Sequence, residues 1–188
     1  MKRSAKSVGA MGGTVGAIVG LWTQVVRGAI TLDLRVGRTV QPLGPLTVRI
    51  AARRETVFEV ISSPYFDRPT RALEKKLHVI ERGQDLVLAA HFTRVYGLTA
   101  TTLETVRFEP PDRVHFRLVR GPVPHVVERF HLRETDEGTE LEYTGELGTD
   151  LWVLGSWWGA AVARKWEATV RTALDSVKLE AERRANRP

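Results

Sequence analysis

The middle of the chain consists of short stretches in which apolar and polar residues alternate. Alternation with a period of two is typical of strands that bury one face. The connectors between the stretches are short and rich in Gly, Pro and Asp, and such connectors join antiparallel neighbours because a parallel crossover needs far more chain. The pattern therefore predicts six consecutive antiparallel strands: Lys75–Glu81, Leu86–Val95, Leu98–Phe108, Arg113–Arg120, Val126–Glu134 and Thr139–Leu147.

The flanking segments complete the element order. Leu46–Ala52 predicts a further strand, and the apolar spacing in RRETVFEVISSP predicts a short helix that ends at Pro64. The Pro-interrupted stretch YFDRPTRAL predicts a broken second helix. A long helical pattern then runs from about Asp150, which we expect to be the N-cap, to Glu182. A seven-stranded sheet with the long helix across its concave face would bury every apolar face.

This layout resembles the START/Bet v 1-type superfamily (SRPBCC), in particular its polyketide cyclase/dehydrase and lipid-transport branch. The resemblance spans roughly Leu43 to Lys178 and rests on the element order and on the stretches PLTVRIAARRETVFEVISSP, GPVPHVVERFHL and GTELEYTGELGTD. No diagnostic catalytic motif contributes to it. The resemblance implies an α+β helix-grip fold, a seven-stranded antiparallel curved sheet wrapped around a long C-terminal helix, with an internal cavity for a hydrophobic ligand.

Alternation also assigns the two faces of the predicted sheet. The apolar positions of three strands should face inward, because the residues between them are mostly charged. These inward sets are Val114, Phe116, Leu118 and Arg120, then Val126, Glu128, Phe130 and Leu132, then Leu141, Tyr143, Gly145 and Leu147.

Polar residues on this inward face are the candidates for chemistry. They are Arg120, Glu128 and Tyr143, and Glu104 joins them because it alternates with apolar neighbours. A buried carboxylate must become neutral or find a cation. Arg120 and Glu128 both lie near the GPVP turn. They either pair at the cavity mouth, hold the polar end of a ligand, or take part in catalysis.

Four of the chain's five tryptophans lie within residues 150–166. Three residues share the helix stripe that faces the sheet: Trp158, Val162 and Trp166. Trp152 and Trp157 fall off this stripe. We expect the cluster to cover the cavity and to form its aromatic wall, with a purely structural core as the alternative. A membrane belt is disfavoured, because Arg164 and Lys165 interrupt the run.

The composition excludes several classes of site. The chain has 188 residues and no cysteine, which rules out disulfides, thiolate nucleophiles and cysteine-based metal sites. Its five histidines show no metal-ligand spacing, so we expect no metal and no cofactor. His91 lies in a strand whose two faces are hard to tell apart. Walker, H-E-x-x-H and G-x-S-x-G patterns are missing as well.

The positive charge is concentrated at the N-terminus. Residues 1–54 carry nine Lys or Arg and one acid, whereas the remaining 134 residues carry 19 basic and 21 acidic residues. A nucleic-acid-binding domain should carry its basic stripe on the folded body. This body is almost neutral, so we expect no nucleic-acid partner.

The resemblance and the charge pattern together imply a basic, Gly-rich leader (residues 1–42), a START/Bet v 1-like domain (residues 43–182) and a polar tail (residues 183–188). The leader contains an uncharged run of about 20 residues in which Gly12, Gly16 and Gly20 recur at a spacing of four. The leader is therefore a flexible or surface-packed segment, a membrane anchor or interfacial helix, or an export signal. We expect a cytoplasmic protein, with membrane contact through residues 1–30 left open.

Three functions remain. The first is a carrier or sensor that binds a hydrophobic small molecule, such as a lipid, a polyketide or an isoprenoid-like compound. The second is a polyketide cyclase/dehydrase-type enzyme that uses Glu128 or His91 as its acid or base. The third is a protein-docking module. No oligomeric state is predicted. The predicted ligand-binding residues are Phe116, Arg120, Glu128, Phe130, Tyr143, Trp158, Val162 and Trp166.

Overall fold

The computed structural model describes residue 16 and residues 19–66, 75–95 and 97–187. Its elements in chain order are β1 (Thr39–Ile50), α1 (Arg54–Phe66), β2 (Leu77–Arg82), β3 (Leu86–Val95), β4 (Leu98–Glu109), β5 (Arg113–Arg120), β6 (His125–Thr135), β7 (Gly138–Thr149) and α2 (Trp152–Ala185). The six consecutive predicted strands are confirmed, and their ends differ from the prediction by two residues at most. The predicted second helix lies largely outside the described residues.

The strands form one antiparallel sheet in the order β1-β7-β6-β5-β4-β3-β2. The sheet is open and curved, and α2 packs against β1, β7 and α1. The helix-grip fold is therefore confirmed. We call the end of the sheet with the β3–β4 and β5–β6 turns and the start of α2 the mouth. The opposite end, with the β2–β3, β4–β5 and β6–β7 turns, is the far end.

The core lies between the concave face of the sheet, α1 and one stripe of α2. On α2 this stripe includes Val170 and Leu174, which are buried, and Trp158, Val162 and Trp166, which are half-buried against the core. The burial follows the predicted helical spacing. The long helix covers the β1–β7 side most closely, and α1 packs against β2, β6 and β7 as well.

The ends of the domain differ from the predicted boundaries. The first strand begins at Thr39, so the predicted boundary at residue 43 falls inside β1. A register shift between Leu43 and Leu46 interrupts the pairing of β1 with β7. At the C-terminus α2 continues to Ala185, beyond the predicted start of the polar tail.

The described part of the leader packs across the mouth. Residues 19–26 are helical, and the ring centroids of Trp22 and Trp158 lie 4.5 Å apart in an edge-to-face arrangement. The backbone N–H of Thr101 donates a hydrogen bond of 2.8 Å to the carbonyl oxygen of Arg27. No helix in the described ranges is long and apolar enough to cross a membrane. The predicted glycine spacing extends to Gly12, which lies outside the described residues.

The prediction that Asp150 caps α2 is wrong. The N-cap is Leu151, which has a φ of 72° and no side-chain capping bond. Asp150 instead holds the leader: its Oδ2 accepts hydrogen bonds of 2.7 and 2.8 Å from the backbone N–H groups of Leu34 and Arg35, and its Oδ1 accepts one of 2.8 Å from Nε of Arg38. The hydrogen bond from Arg38 holds the pKa of Asp150 below its ordinary value.

Candidate functional site

A buried carboxyl group lies at the centre of the inward face. Glu128 of β6 is 6% exposed, and its Oε1 accepts two hydrogen bonds of 2.7 Å, from Oη of Tyr143 and from Nε1 of Trp166. Its neighbour across the strand pair is Gly145. A Cβ at Gly145 would lie 2.7 Å from the carbonyl oxygen of Val127 and 3.2 Å from Cγ of Glu128, so glycine leaves the space that Glu128 uses.

The surroundings of Glu128 keep it protonated. Burial raises its pKa to about 8, repulsion from Glu104 acts in the same direction, and the hydrogen bonds from Tyr143 and Trp166 act against both. The carboxyl group is therefore mostly neutral at neutral pH. Because both hydrogen bonds end on Oε1, the proton belongs on Oε2. Glu128 thus offers an O–H donor beside an aromatic surface.

A second polar cluster lies on the neighbouring strands. Nδ1 of His91 is 3.2 Å from Oε2 of Glu104, and Nε2 of His91 shares a hydrogen bond of 3.0 Å with Oη of Tyr65. Burial lowers the pKa of His91 to about 4 and raises that of Glu104 to about 7. Nδ1 of His91 has no aligned hydrogen-bond partner among the described residues. The imidazole is therefore neutral, and Glu104 titrates near neutral pH.

Aromatic rings connect the two clusters across the concave face. Tyr65 of α1 lies 6.4 Å from Phe116, Phe116 lies 5.3 Å from Phe130, and Phe130 lies 5.7 Å from Tyr143, as measured between ring centroids. These pairs are tilted or edge-to-face, the geometry that aromatic quadrupoles favour. The acids therefore lie within an apolar surface, which is why their neutral forms are stabilised.

The predicted ion pair between Arg120 and Glu128 is wrong. The pairing of β4 with β5 shifts so that Leu103 opposes Arg120 whereas Glu104 opposes Leu118. The shift adds one residue to β5 at Val119, and strict alternation no longer holds beyond it. Arg120 is exposed at the mouth. Among the described residues, the side chains that bond to Glu128 are Tyr143 and Trp166.

The other predicted ligand residues lie on the concave side. Phe116, Glu128 and Tyr143 are buried, whereas Phe130, Val162 and Trp166 are half-buried around them. Trp158 lies nearer the mouth, where its Nε1 donates a hydrogen bond of 3.0 Å to the carbonyl oxygen of Pro122. His91, whose face the pattern left ambiguous, points inward because it opposes Thr102, which shares the face of Glu104.

The prediction missed Tyr65 and its bond to His91. The signal was present in α1, where Phe58, Ile61 and Tyr65 recur at helical spacing and are all buried. Strand alternation does not detect such a residue, because it belongs to a different element.

An apolar groove of about 270 Å³ lies at the mouth, beside the start of α2. Its lining includes Trp22 and Val25 of the leader, the turn residue Pro122, and Trp157 and Trp158 of α2. Of the eight predicted ligand residues it contains Trp158 alone. Deeper inside, Leu118, Phe130 and Trp166 keep partial solvent exposure next to Glu128.

Most of the chain matches a known protein family. Residues 46–182 match the family model for polyketide cyclase/dehydrase and lipid transport. The chain belongs to this family. No curated protein shows significant sequence similarity to it. The superfamily resemblance seen in the sequence is confirmed.

Several solved structures share the architecture at low sequence identity. The Zhui aromatase/cyclase from Streptomyces sp. R1128 is 21% identical, with a TM-score of 0.62 over 78% of this chain and 95% of that chain. The protein TTHA0849 from Thermus thermophilus is 16% identical, with a TM-score of 0.56 over 77% of this chain and 94% of its own. The di-domain aromatase/cyclase BexL from the BE-7585A biosynthetic pathway is 20% identical, with a TM-score of 0.54 over 81% of this chain and 52% of its own.

The family and the geometry together define what the site can do. Neutral carboxyl groups on an apolar surface can donate hydrogen bonds to a ligand or exchange protons near neutral pH. The described residues contain no group of three or more His, Asp or Glu that could hold a metal ion. Family membership supports a hydrophobic ligand or cyclase chemistry.

Proposed function

We propose that the chain binds a hydrophobic small molecule between the concave sheet and α2, and acts as a carrier or sensor for it. In this proposal Oε2 of Glu128 donates a hydrogen bond to an oxygen atom of the ligand. The observation that carries the proposal is the double hydrogen bond to Oε1, from Tyr143 and Trp166, which leaves the proton on the other oxygen.

Hydrogen-bond energetics are consistent with a ligand at this position. A ligand carbonyl or hydroxyl oxygen could accept a hydrogen bond from Oε2 of Glu128, and such a bond contributes about 0.5–1.5 kcal/mol. The surrounding rings of Phe116, Phe130 and Trp166 would contact the apolar part of the ligand. Apolar walls with a few placed polar groups are typical of small-molecule sites. The matching ligand class is an apolar skeleton with one buried oxygen acceptor, as in a polyketide, isoprenoid or lipid.

In this proposal the ligand reaches Glu128 past partly exposed side chains on the concave side. Leu118 and Phe130 lie on the inner face of β5 and β6, and both keep partial exposure. Trp166 of α2, which bonds to Glu128, is half-buried as well. A ligand bound beside Glu128 would displace solvent from these side chains.

The test uses prodan, a neutral naphthyl ketone, and two matched variants. Leu118→Trp enlarges a half-buried side chain on the inner face of β5, two residues from Phe116, which opposes Glu128, whereas Val119→Trp places the same ring at an adjacent position that is 54% exposed. We expect saturable prodan binding in the wild type and in Val119→Trp, and its loss in Leu118→Trp. Equal binding by all three proteins would place the probe elsewhere. Native mass spectrometry of the protein purified from its own host would then identify any copurified ligand.

A second candidate function is a cyclase or dehydrase. The favouring observation is that Glu104, Glu128 and His91 lie on one concave surface with pKa values of about 7, 8 and 4. Acids that titrate near the working pH are effective proton donors and acceptors. Turnover of a poly-β-ketone thioester that is lost in Glu128→Gln, while binding persists, would favour an enzyme. A change in binding with no turnover in either protein would favour the carrier.

The docking-module alternative has weaker support. On the outer face, Nη2 of Arg133 donates hydrogen bonds of 2.9 Å to Glu140 and 2.8 Å to Glu142. The charge of Arg133 is thus already matched across the strands, as on an ordinary solvated sheet surface.

A further inference from the structure

Exposed apolar side chains are concentrated at the mouth. We define the mouth patch as Trp22, Leu32, Leu34, Leu151, Leu154 and Trp157, which all border the apolar groove and are all more than a third exposed. Leu154 is 76% exposed and Trp157 is 72% exposed, and Val153 beside them is 82% exposed. Contiguous apolar surface of this kind marks an interaction site.

The hairpin turns at the two ends of the sheet differ in their acidic residues. Each of the three far-end hairpin turns contains at least one acid: Asp85, Asp112, Asp136 and Glu137. The mouth turn at residues 121–124 contains none, and Arg94 and Arg120, which lie near the mouth, are exposed. The mouth patch therefore lies at the end of the sheet with fewer acidic turn residues.

The acids near the mouth have partners of their own, and Oε1 of Glu146 lies 2.8 Å from Nε2 of His125. Asp33 lies 2.6 Å from Nη2 of Arg38, and Asp150 lies 2.8 Å from Nε of the same guanidinium group. Arg27 adds a further exposed cation on the leader, whereas Nε of Arg35 lies 3.7 Å from Oδ1 of Asp33. Exposed arginines thus accompany the apolar side chains at this end of the domain.

We propose that the mouth patch docks the protein onto the surface of an anionic lipid bilayer. The first turns of α2 would insert Leu154 and Trp157 among the lipid headgroups and upper acyl chains, and the arginines would contact the anionic headgroups. Amphipathic surfaces with tryptophan and leucine beside basic residues bind in this way. A lipid surface is favoured over a protein partner, because the most exposed apolar side chains, Leu154 and Trp157, lie at the same end of the domain as the exposed Arg27 and Arg120. The docking concerns the outer surface, so it does not depend on which ligand the interior binds.

Sedimentation of the full chain with vesicles tests the proposal. We expect binding to vesicles of phosphatidylcholine with phosphatidylglycerol, weak binding to phosphatidylcholine alone, and weakening by salt. Replacing both Leu154 and Trp157 by serine should lower the partition coefficient by about tenfold or more. The control is Leu179→Ser, because Leu179 is 74% exposed on the same helix but lies toward the far end.

A second pair of variants tests the charges independently of the apolar residues. Arg120→Glu should weaken binding to the anionic vesicles by at least about fivefold. Arg129→Glu, which changes an exposed arginine on the outer face of β6, should leave it unchanged. All four proteins should keep the wild-type circular dichroism spectrum, since every altered side chain is exposed.

Three results would overturn the proposal. The first is an equal effect of the mouth and control variants on vesicle binding. The second is no vesicle binding by the wild type. The third is a wild-type dimer that becomes monomeric in the Leu154 and Trp157 double variant without any vesicle binding, which would assign the patch to a second copy of the chain.

Discussion

The indole Nε1 of Trp166 donates a hydrogen bond of 2.7 Å to Oε1 of Glu128, and so joins the long helix to the inner face of the sheet. Tyr143 donates to the same oxygen from the neighbouring strand. One oxygen of a buried acid therefore accepts both hydrogen bonds, and the other is left to carry the proton.

The first prediction concerns the contribution of Trp166 to this arrangement. In Trp166→Phe the ring remains but the N–H donor is lost, so the ionised form of Glu128 loses a stabilising hydrogen bond. We expect the pKa of Glu128 to rise further and the free energy of unfolding to fall by about 1 kcal/mol. NMR titration of the Glu128 carboxyl carbon and chemical denaturation measure the two effects.

Trp158→Phe is the matched control for this variant. The indole of Trp158 donates to the carbonyl oxygen of Pro122 and not to an acid. Its loss should cost a comparable free energy of unfolding and leave the titration of Glu128 unchanged. Equal shifts of that titration in both variants would mean that the Trp166 bond does not set the pKa.

The second prediction is the pH dependence of stability. A carboxyl group whose pKa is raised by folding keeps its proton in the native state after the unfolded chain has lost its own. Between the ordinary value of 4.5 and about 8, Glu128 therefore makes the free energy of unfolding fall as pH rises, by about 1.4 kcal/mol per pH unit. His91 acts in the opposite direction between about 4 and its ordinary 6.5, because it is neutral when folded.

Above about pH 6.5 His91 no longer contributes, so the pH dependence of the free energy of unfolding there reports on the acids. Glu128→Gln keeps an oxygen acceptor for Tyr143 and Trp166 and removes one titrating group. Relative to the wild type, its free energy of unfolding should rise by about 1.5 kcal/mol between about pH 6.5 and pH 8. Glu137→Gln, in the exposed β6–β7 turn, should show no such gain. A constant difference between Glu128→Gln and wild type across this range would show that Glu128 is already ionised.

The third prediction concerns Asp150, which ties the leader to the start of α2. The pKa of Asp150 is lowered, so its stabilising effect is present above the ordinary value of 3.8 and is lost as pH falls through the lower folded value. Asp150→Asn should lower the free energy of unfolding by about 2 kcal/mol at neutral pH. Hydrogen exchange at the amides of Leu34 and Arg35 should accelerate with it.

Asp33→Asn separates this effect from a general loss of charge. Asp33 is 39% exposed and pairs with the same Arg38, but it accepts no backbone N–H from Leu34 or Arg35. Its replacement should leave exchange at those two amides slow. If Asp33→Asn and Asp150→Asn accelerate exchange equally, the carboxylate of Asp150 does not hold the leader.

Strand alternation in the sequence was sufficient to predict most of the sheet and the central acid. Glu128 and Tyr143 were placed on the inner face because their neighbours were charged, and the structure has them there. The same rule failed for Arg120, because a bulge at Val119 adds a residue that no local pattern reveals. A period-two rule is valid only as far as the strand pairing is regular.

Local sequence patterns did not predict the contacts between segments that are distant along the chain. Asp150 was interpreted as a helix cap from its position alone, although its partners lie about a hundred residues earlier in the chain. The packing of Trp22 on Trp158 and the bond between Tyr65 and His91 likewise join different elements. Such contacts depend on the curvature of the sheet and on the path of the leader, which a single sequence does not encode in its periodicity.

The most direct test of the central claim is the pH dependence of prodan binding in the wild type and in Glu128→Gln. Ionisation removes the O–H donor of Glu128, whereas an amide N–H remains in the variant at every pH. We predict that the wild-type affinity falls by about tenfold as pH rises through about 8, and that the affinity of Glu128→Gln stays constant. The same pH profile in both proteins, or no saturable binding in either, would contradict a ligand held by protonated Glu128.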